Sequence, residues 1–245
     1  MVRVVERLHA GTWVPPWIYH QHITRYQWAG PLVQGKTVLD AACGTGYGSN
    51  LLLDAGAQSV DGFDVSAEAI AEAQNNHARD HLHFALGDVT RLPVPDAHYD
   101  AYVSFETIEH IQDDTAYLKE ARRVLKPSGA LICSTPNRLL TNPGISISDR
   151  PFNPYHIREY THAELKALLE LYFSSVVFYG QSAYGLAYSR FLSATGRRFP
   201  KLAVRLHQTR KTLGIPLCRS AHHFPQAWDD NQQPEVMIAL CTQPI

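Results

Sequence analysis

From residue 37 onward, short apolar runs alternate with amphipathic stretches. Thr37–Ala41, Ser59–Asp64, Leu82–Leu86, Tyr99–Phe105 and Ala130–Thr135 read as strands, with Val176–Gln181 and Glu235–Thr242 as the last two. Helix signals fall between them. Ser49–Ala55 follows a glycine cluster, and Ser66 caps a helix that carries Glu68 in its first turn and continues through Ala69, Ile70 and Ala73. Asp113 or Asp114 opens a helix predicted to stop at Pro127-Ser-Gly129, where proline cannot continue and glycine can turn left-handed. Thr161-His-Ala-Glu164 is a capping box, and Leu165, Leu168, Leu169 and Tyr172 then recur at i, i+3, i+4 and i+7. Strands alternating with helices of this length predict βαβ units: an α/β fold, doubly wound, with a mostly parallel seven-stranded sheet between helical layers. Ligands of such sheets bind beyond the carboxyl ends of the strands, so the loops after strands one, two, four and five are where chemistry is expected.

Two segments interrupt the alternation. Residues 1–36 carry Trp13, Trp17, Tyr19, Tyr26 and Trp28, too aromatic for a mere tail, and are expected to form a helical extension. Residues 182–234 are too long for a plain loop and predict a helical insertion or lid before a last strand at 235–245. The expected organisation is one domain, 1–245, with its cofactor-binding core at 37–181.

Composition sharpens this in a few places. With 45% hydrophobic and 18% charged residues the chain can bury a real core. Twenty-two basic against 23 acidic residues give a net charge of −1, which excludes a uniformly basic nucleic-acid binder. The charge is unevenly spread, however: residues 182–234 hold eight Lys or Arg against two Asp, a local +6 that leaves −7 for the remainder. No apolar run approaches the ~20 residues of a membrane span, and Met1-Val-Arg-Val-Val-Glu-Arg lacks the features of a secretory signal. Cys43, Cys133, Cys218 and Cys241 lie far apart, as suits reduced thiols in a cytoplasmic protein.

The most informative stretch is Val38-Leu-Asp-Ala-Ala-Cys-Gly-Thr-Gly-Tyr-Gly48. A glycine turn between a first strand and a helix lets a ligand approach the backbone closely. A dinucleotide site wants glycine or alanine where Ser49 stands, and the acid at the strand end, Asp40, would repel a pyrophosphate; a cationic ligand suits it better. Asp64 closes the second strand, where a carboxylate can accept from both hydroxyls of a ribose. Asp88, after the third strand, can accept from an exocyclic amine such as adenine N6. An ammonium, a ribose and an adenine without phosphates describe S-adenosylmethionine.

On these residues, and on Leu118-Lys-Glu-Ala-Arg-Arg-Val-Leu-Lys-Pro-Ser-Gly129 before the fifth strand, the chain over roughly 15–181 resembles the class I S-adenosylmethionine-dependent methyltransferases. The resemblance implies a Rossmann-like fold and a cofactor set of Asp40, Gly44, Gly46, Asp64 and Asp88, with their neighbours Ala41, Val65, Val89 and Phe105. His22-Ile-Thr-Arg-Tyr26 is similar to a segment of methyltransferases from bacterial glycan and secondary-metabolite pathways, where Arg25 would reach the methionine carboxylate. The alternative is an amphipathic helix packing its aromatics on the cleft.

Methyl transfer to an alcohol needs an aligned nucleophile and a base or metal for its proton. Ser104-Phe-Glu-Thr-Ile-Glu-His110 supplies Glu106, Glu109 and His110 at i, i+3 and i+4, which one helical turn would place on one face. His156 follows the fifth strand, at the same edge of the sheet. The Glu-x-x-Glu-His pattern resembles two metal-using branches of the family, the catechol O-methyltransferases of ubiquinone synthesis and the small-RNA 2′-O-methyltransferases, in the second of which a later histidine completes a magnesium site. Three roles stay open here: ligation of Mg²⁺ or Mn²⁺ by Glu106, Glu109, His110 and His156; general-base catalysis by His110 or His156 with Glu106 beside them; or pocket structure. The function expected is methylation of a small-molecule acceptor, a hydroxyl of a sugar, with or without phosphate, or of another polyol or natural product. RNA 2′-O-methylation and a catalytically silent cofactor-binding subunit are the competing readings. The near-neutral total charge argues against nucleic acid, the +6 insertion weakens that argument, and a homodimer is left open.

Overall fold

The computed structural model describes residues 16–212 and 224–245. Trp13, Cys218, Arg219 and the His222-His223 pair lie outside the described residues. In chain order the elements are α1 (Pro16–Val33), β1 (Thr37–Ala41), α2 (Tyr47–Asp54), β2 (Ser59–Asp64), α3 (Ala67–His77), β3 (Leu82–Leu86) and β4 (Tyr99–Phe105). A 3₁₀ turn (Ile108–His110), α4 (Asp114–Val124), β5 (Leu125–Pro136), α5 (Arg138–Thr141), α6 (His162–Leu169) and β6 (Phe173–Gly185) follow. The chain then forms α7 (Leu186–Arg198), α8 (Pro200–Thr212), β7 (Gln226–Ala227) and β8 (Gln232–Pro244).

The sheet order is β3-β2-β1-β4-β5-β8-β6-β7. Strands β1 to β5 are parallel, whereas β8 runs antiparallel between β5 and β6. Eight strands replace the seven expected, because the two-residue β7 adds to the β6 edge. Reversal at β1 splits the sheet and opens a crevice at the carboxyl ends of β1 and β4.

Alternation along the strands explains why both faces are covered. Leu39, Tyr102, Leu131 and Met237 enter one buried cluster with Leu118 and Leu165, while Val38, Val103, Ile132 and Ile238 enter the other with Leu52 and Ile70. Capping chemistry fixes the helix starts. Ser66 accepts from the Ala69 N–H, Asp113 from that of Ala116, and Thr161 with Glu164 completes the capping box. The end of α4 differs from expectation: it stops at Val124, and residues 125–129 already belong to β5. Pro127 disfavours helical backbone at the residue before it, which draws the chain into the strand early.

The segment expected at 182–234 narrows to 186–231, because β6 runs on to Gly185 and β8 starts at Gln232 rather than 235. It holds α7 and α8, joined to the core through the small cluster of Leu140, Tyr184, Leu192 and Ala203. Among the described residues no helix is long and apolar enough to cross a membrane.

Candidate functional site

The turn after β1 is built by its glycines. Gly44 and Gly46 both have positive φ, 55° and 82°, and a side chain at Gly46 would collide with Phe84 and Ala73. At Gly44 the space where a Cβ would stand is open. Asp64 ties this loop to β2: one carboxylate oxygen accepts from the Gly44 N–H at 3.0 Å and the other from the Ser66 N–H at 2.9 Å. Both oxygens are thereby aimed by backbone donors at the loop edge. Beside it, Val65 is 64% exposed, an apolar side chain presented to a ligand face. Asp88 is exposed, with Oδ1 accepting from the N–H and hydroxyl of Thr90. Ala41 and Val89 are buried in one core cluster and Phe105 in the other.

Asp40 plays a more enclosed part than its position in the motif suggests. It is fully buried, and its oxygens accept from the Tyr26 hydroxyl at 3.2 Å and the Ser49 hydroxyl at 2.6 Å. Burial pushes its pKa up to about 7, against the opposing effect of those two hydrogen bonds. Ser49, the residue that departs from the dinucleotide pattern, is therefore the partner of the acid.

Tyr26 arrives from α1. Its ring lies over Gly48, where an added Cβ would come within 2.0 Å of it, and meets Phe105 edge-on at 4.9 Å. The residue before it, Arg25, is almost wholly buried. Its Nη1 donates to Gln181 Oε1 at 2.7 Å, while Nε and Nη2 have no hydrogen-bond partner. Gln181 in turn donates to the Gln21 carbonyl and the Thr24 hydroxyl, which holds the guanidinium in place. A buried guanidinium with two unmet donors is costly unless an anion completes it. A carboxylate does so, and with the open space at Gly44 and the oriented Asp64 these residues fit S-adenosylmethionine.

The second group of candidates lies at the carboxyl ends of β4 and β5. Glu106 has a left-handed φ of 53°, an uncommon backbone for this residue type and a mark of constraint at a working site. That kink directs its carboxylate to the Ser134 hydroxyl, 2.8 Å away. The single-turn arrangement expected for Glu106, Glu109 and His110 is therefore corrected: the 3₁₀ turn begins only at Ile108, and Glu106 stands outside the cluster.

Glu109, His110 and His156 do converge, each offering a ligand atom within 4.8 Å of the others. The two imidazole rings sit edge to face at 4.8 Å. His110 Nδ1 is 3.0 Å from the Tyr155 carbonyl, which can only accept, so that nitrogen carries the proton and Nε2 presents a lone pair in the neutral ring. His156 Nδ1 faces Glu159 Oε1 at 2.6 Å with the same consequence. Glu159 is itself held by Asn142 Nδ2 at 2.6 Å and by the Thr141 hydroxyl. Glu109 is fully buried; Oε2 accepts from the Thr135 hydroxyl at 2.8 Å, and Oε1 has no hydrogen-bond partner. Burial, and then the charge of Glu106, raise the Glu109 carboxyl well above the ordinary range.

Several of these partners were not singled out from the sequence. Gln181, Thr135 and Glu159 support the site, and only Glu159, three residues beyond His156, had a local signal.

The parallel sheet reversing at β1, a glycine turn there and acids at three strand ends define a class I nucleoside-cofactor methyltransferase fold. Comparison with known proteins agrees. Residues 39–133 match the family described as "Methyltransferase domain". A protein of Mycolicibacterium smegmatis named "Probable S-adenosylmethionine-dependent methyltransferase" is 39% identical over 152 residues, 62% of this chain and 57% of its own. The Caulobacter vibrioides "Ubiquinone/menaquinone biosynthesis C-methyltransferase" is 33% identical over 119 residues, 44% of this chain and 47% of its own. A chain from the complex between the Haloferax volcanii Trm112 methyltransferase activator and a methyltransferase shares the fold at a TM-score of 0.60 and 20% identity, over 93% of this chain and 92% of that one. In sequence over part of its length, and in fold over nearly all of it, the chain is similar to class I S-adenosylmethionine-dependent methyltransferases. It spans a little over half the length of the Mycolicibacterium relative.

Proposed function

We propose that the protein transfers a methyl group from S-adenosylmethionine to a hydroxyl of a small-molecule acceptor, a sugar or another polyol. The observation that carries this reading is the convergence of Glu109, His110 and His156 at the edge where the glycine turn opens, with Glu109 Oε1, which accepts no hydrogen bond, 4.0 Å from His110 Nε2. S-adenosylmethionine, when bound, supplies an electrophilic methyl group. Arg25 then meets its carboxylate, Asp64 its ribose hydroxyls, and Asp88 its adenine amine.

An alcohol must lose a proton as it is methylated, and the Glu109–His110–His156 cluster gives that proton a place to go. The same donors suit a divalent cation. Each histidine has its other ring nitrogen fixed by a carbonyl or a carboxylate, the arrangement that orients imidazoles toward a metal. Two nitrogens and one oxygen, with Glu106 apart, favour Mn²⁺ or a later divalent ion over Mg²⁺. Such an ion would supply Lewis-acid polarisation of the acceptor oxygen.

The test uses labelled cofactor, a panel of sugars and polyols, and mass spectrometry of the product. Methyl ethers are expected, with turnover cut by ~10²–10⁴ in His156→Ala. Methyl groups bonded to carbon or nitrogen would overturn the oxygen assignment. Metal binding is read separately, from the Mn²⁺ electron paramagnetic resonance signal. The protein should quench it with one site per chain, and Glu109→Gln with His156→Gln should not. Unchanged quenching in that double variant would sink the ligand assignment.

A further inference from the structure

The α7–α8 hairpin has a surface that the methyltransferase reading does not use. Residues 186–212 contain seven Lys or Arg and no Asp or Glu. Among the described residues, Arg190, Arg197, Arg198, Lys201 and Arg205 make no ion pair, although Arg198 lies 5.9 Å from the centre of the Phe199 ring. Next to these cations stand four large apolar side chains, Phe191, Phe199, Leu202 and Leu206, each between 42 and 57% exposed. Leu202 and Leu206 are four apart on one face of α8, and Phe199 occupies the turn before it. Lys201 and Arg205, also four apart, flank that stripe, while Ala203, Val204 and His207 point to the core.

The hairpin is fixed in its orientation. α7 buries Ser189, Leu192 and Gly196, and the Gly196 backbone lies so close to Gly144 that a Cβ on Gly144 would come within 2.2 Å of it. The same 142–157 loop exposes Ile147, Phe152 and Tyr155, and the Tyr155 carbonyl holds His110. Exposed apolar surface therefore occurs both on the hairpin and on the loop that rims the candidate site.

We infer that the α7–α8 hairpin docks on an anionic lipid surface, with Phe199, Leu202 and Leu206 entering the headgroup boundary and Lys201 and Arg205 facing lipid charge. The pattern is that of an interfacial amphipathic helix, apolar on one stripe and purely basic beside it. Charge complementarity selects the partner. The 182–234 segment carries +6 and the remainder −7, so the molecule would approach a negative surface with this side foremost. Nucleic acid would satisfy the cations but leave the leucines and phenylalanines against phosphate or water. The inference does not rest on the methyl-transfer reading.

The experiment is co-sedimentation of the full chain with vesicles of phosphatidylcholine containing about a third phosphatidylglycerol, against vesicles of phosphatidylcholine alone. Binding to the anionic vesicles is expected to be at least tenfold tighter and to weaken in high salt. Lys201→Gln with Arg205→Gln should lose roughly 25-fold, at about 1 kcal/mol, or fivefold, per basic residue. Leu202→Ser with Leu206→Ser should lose tenfold or more on the same vesicles. Circular dichroism and melting temperature confirm that each variant folds. Equal binding to both vesicle types, or none to either, would overturn the inference. So would loss of a wild-type dimer in either variant by sedimentation velocity, or retention of an RNA oligonucleotide in place of vesicles. Vesicle binding by a protein that fails to bind S-adenosylhomocysteine would leave this inference standing and remove the cofactor assignment instead.

Discussion

The two sides of the crevice are built by different means. On the cofactor side, Asp40, Gly44, Gly46 and Asp64 come from 25 consecutive residues and are held by short-range bonds such as Asp64 to Gly44 and Ser49 to Asp40. On the acceptor side, Glu109 and His110 meet His156 across some 45 residues: the segment of His156 also supplies the Tyr155 carbonyl for His110 and Glu159 for His156, and Glu109 depends on Thr135 of a third segment. One side is a contiguous motif; the other is an assembly. A contiguous motif keeps its geometry when the rest of the fold changes, whereas an assembly can be retuned by substitutions far away in sequence. This is how one fold serves many acceptors.

If the two sides are functionally separate, damage to one should spare the other. The largest effect is expected from Glu109→Gln or His156→Ala, with turnover falling by ~10²–10⁴ and S-adenosylhomocysteine affinity staying within about twofold by calorimetry. A matching loss of affinity would show that the sides are not separable. Arg25→Met tests the opposite side. Cofactor affinity should drop by roughly 10- to 100-fold, the worth of charged hydrogen bonds to a buried guanidinium, while turnover at saturating cofactor moves little. If cofactor affinity is unchanged, the guanidinium's two unmet donors have some other purpose.

Gly48→Ala sharpens the packing side of the comparison. The new methyl group meets the Tyr26 ring, so a loss of about 1–3 kcal/mol is expected, read as a lowered melting temperature. Adding Tyr26→Leu should recover part of it, because the three atoms nearest the new methyl group all belong to that ring.

The smallest effect concerns Asp40 and pH. Its folded pKa of about 7 lies above the unfolded value near 4, so the folded chain holds a proton there that the unfolded chain releases. This contribution therefore favours folding at low pH and is lost as pH rises from about 4 to about 7, with no further change above. Asp40→Asn should flatten that part of the melting-temperature profile of the ligand-free protein by a few degrees. Identical profiles for the variant and the wild type would show that Asp40 titrates normally.

The contrast also explains what could be read in advance. Strand periodicity, the caps at Ser66 and Thr161, and the glycine turn are local, and the sequence states them openly. Glu106 was misjudged because i, i+3 spacing implies a shared face only if the backbone is helical, and residue 106 is left-handed. β7 could not be foreseen, since its two residues carry no periodicity; they pair with Tyr179 and Gly180 of β6. Gln181 shows the same limit. A glutamine in a strand has no mark that it will hold an arginine 156 residues earlier.

That long-range bond has a consequence for how the molecule comes into being. Helix α1 is synthesised early, yet Arg25 and Gln21 are held by Gln181 and Ser182, and Trp28 meets Tyr179 at 4.7 Å. A nascent chain emerging at its N-terminus therefore carries α1 for some 150 residues before β6 exists to receive it. Loop closure over that distance comes late, after the local βαβ units have formed. The roof of the cofactor crevice is thus one of the last parts to settle, and a ribosome-stalled chain halted before β6 should hold the glycine turn without its arginine clamp.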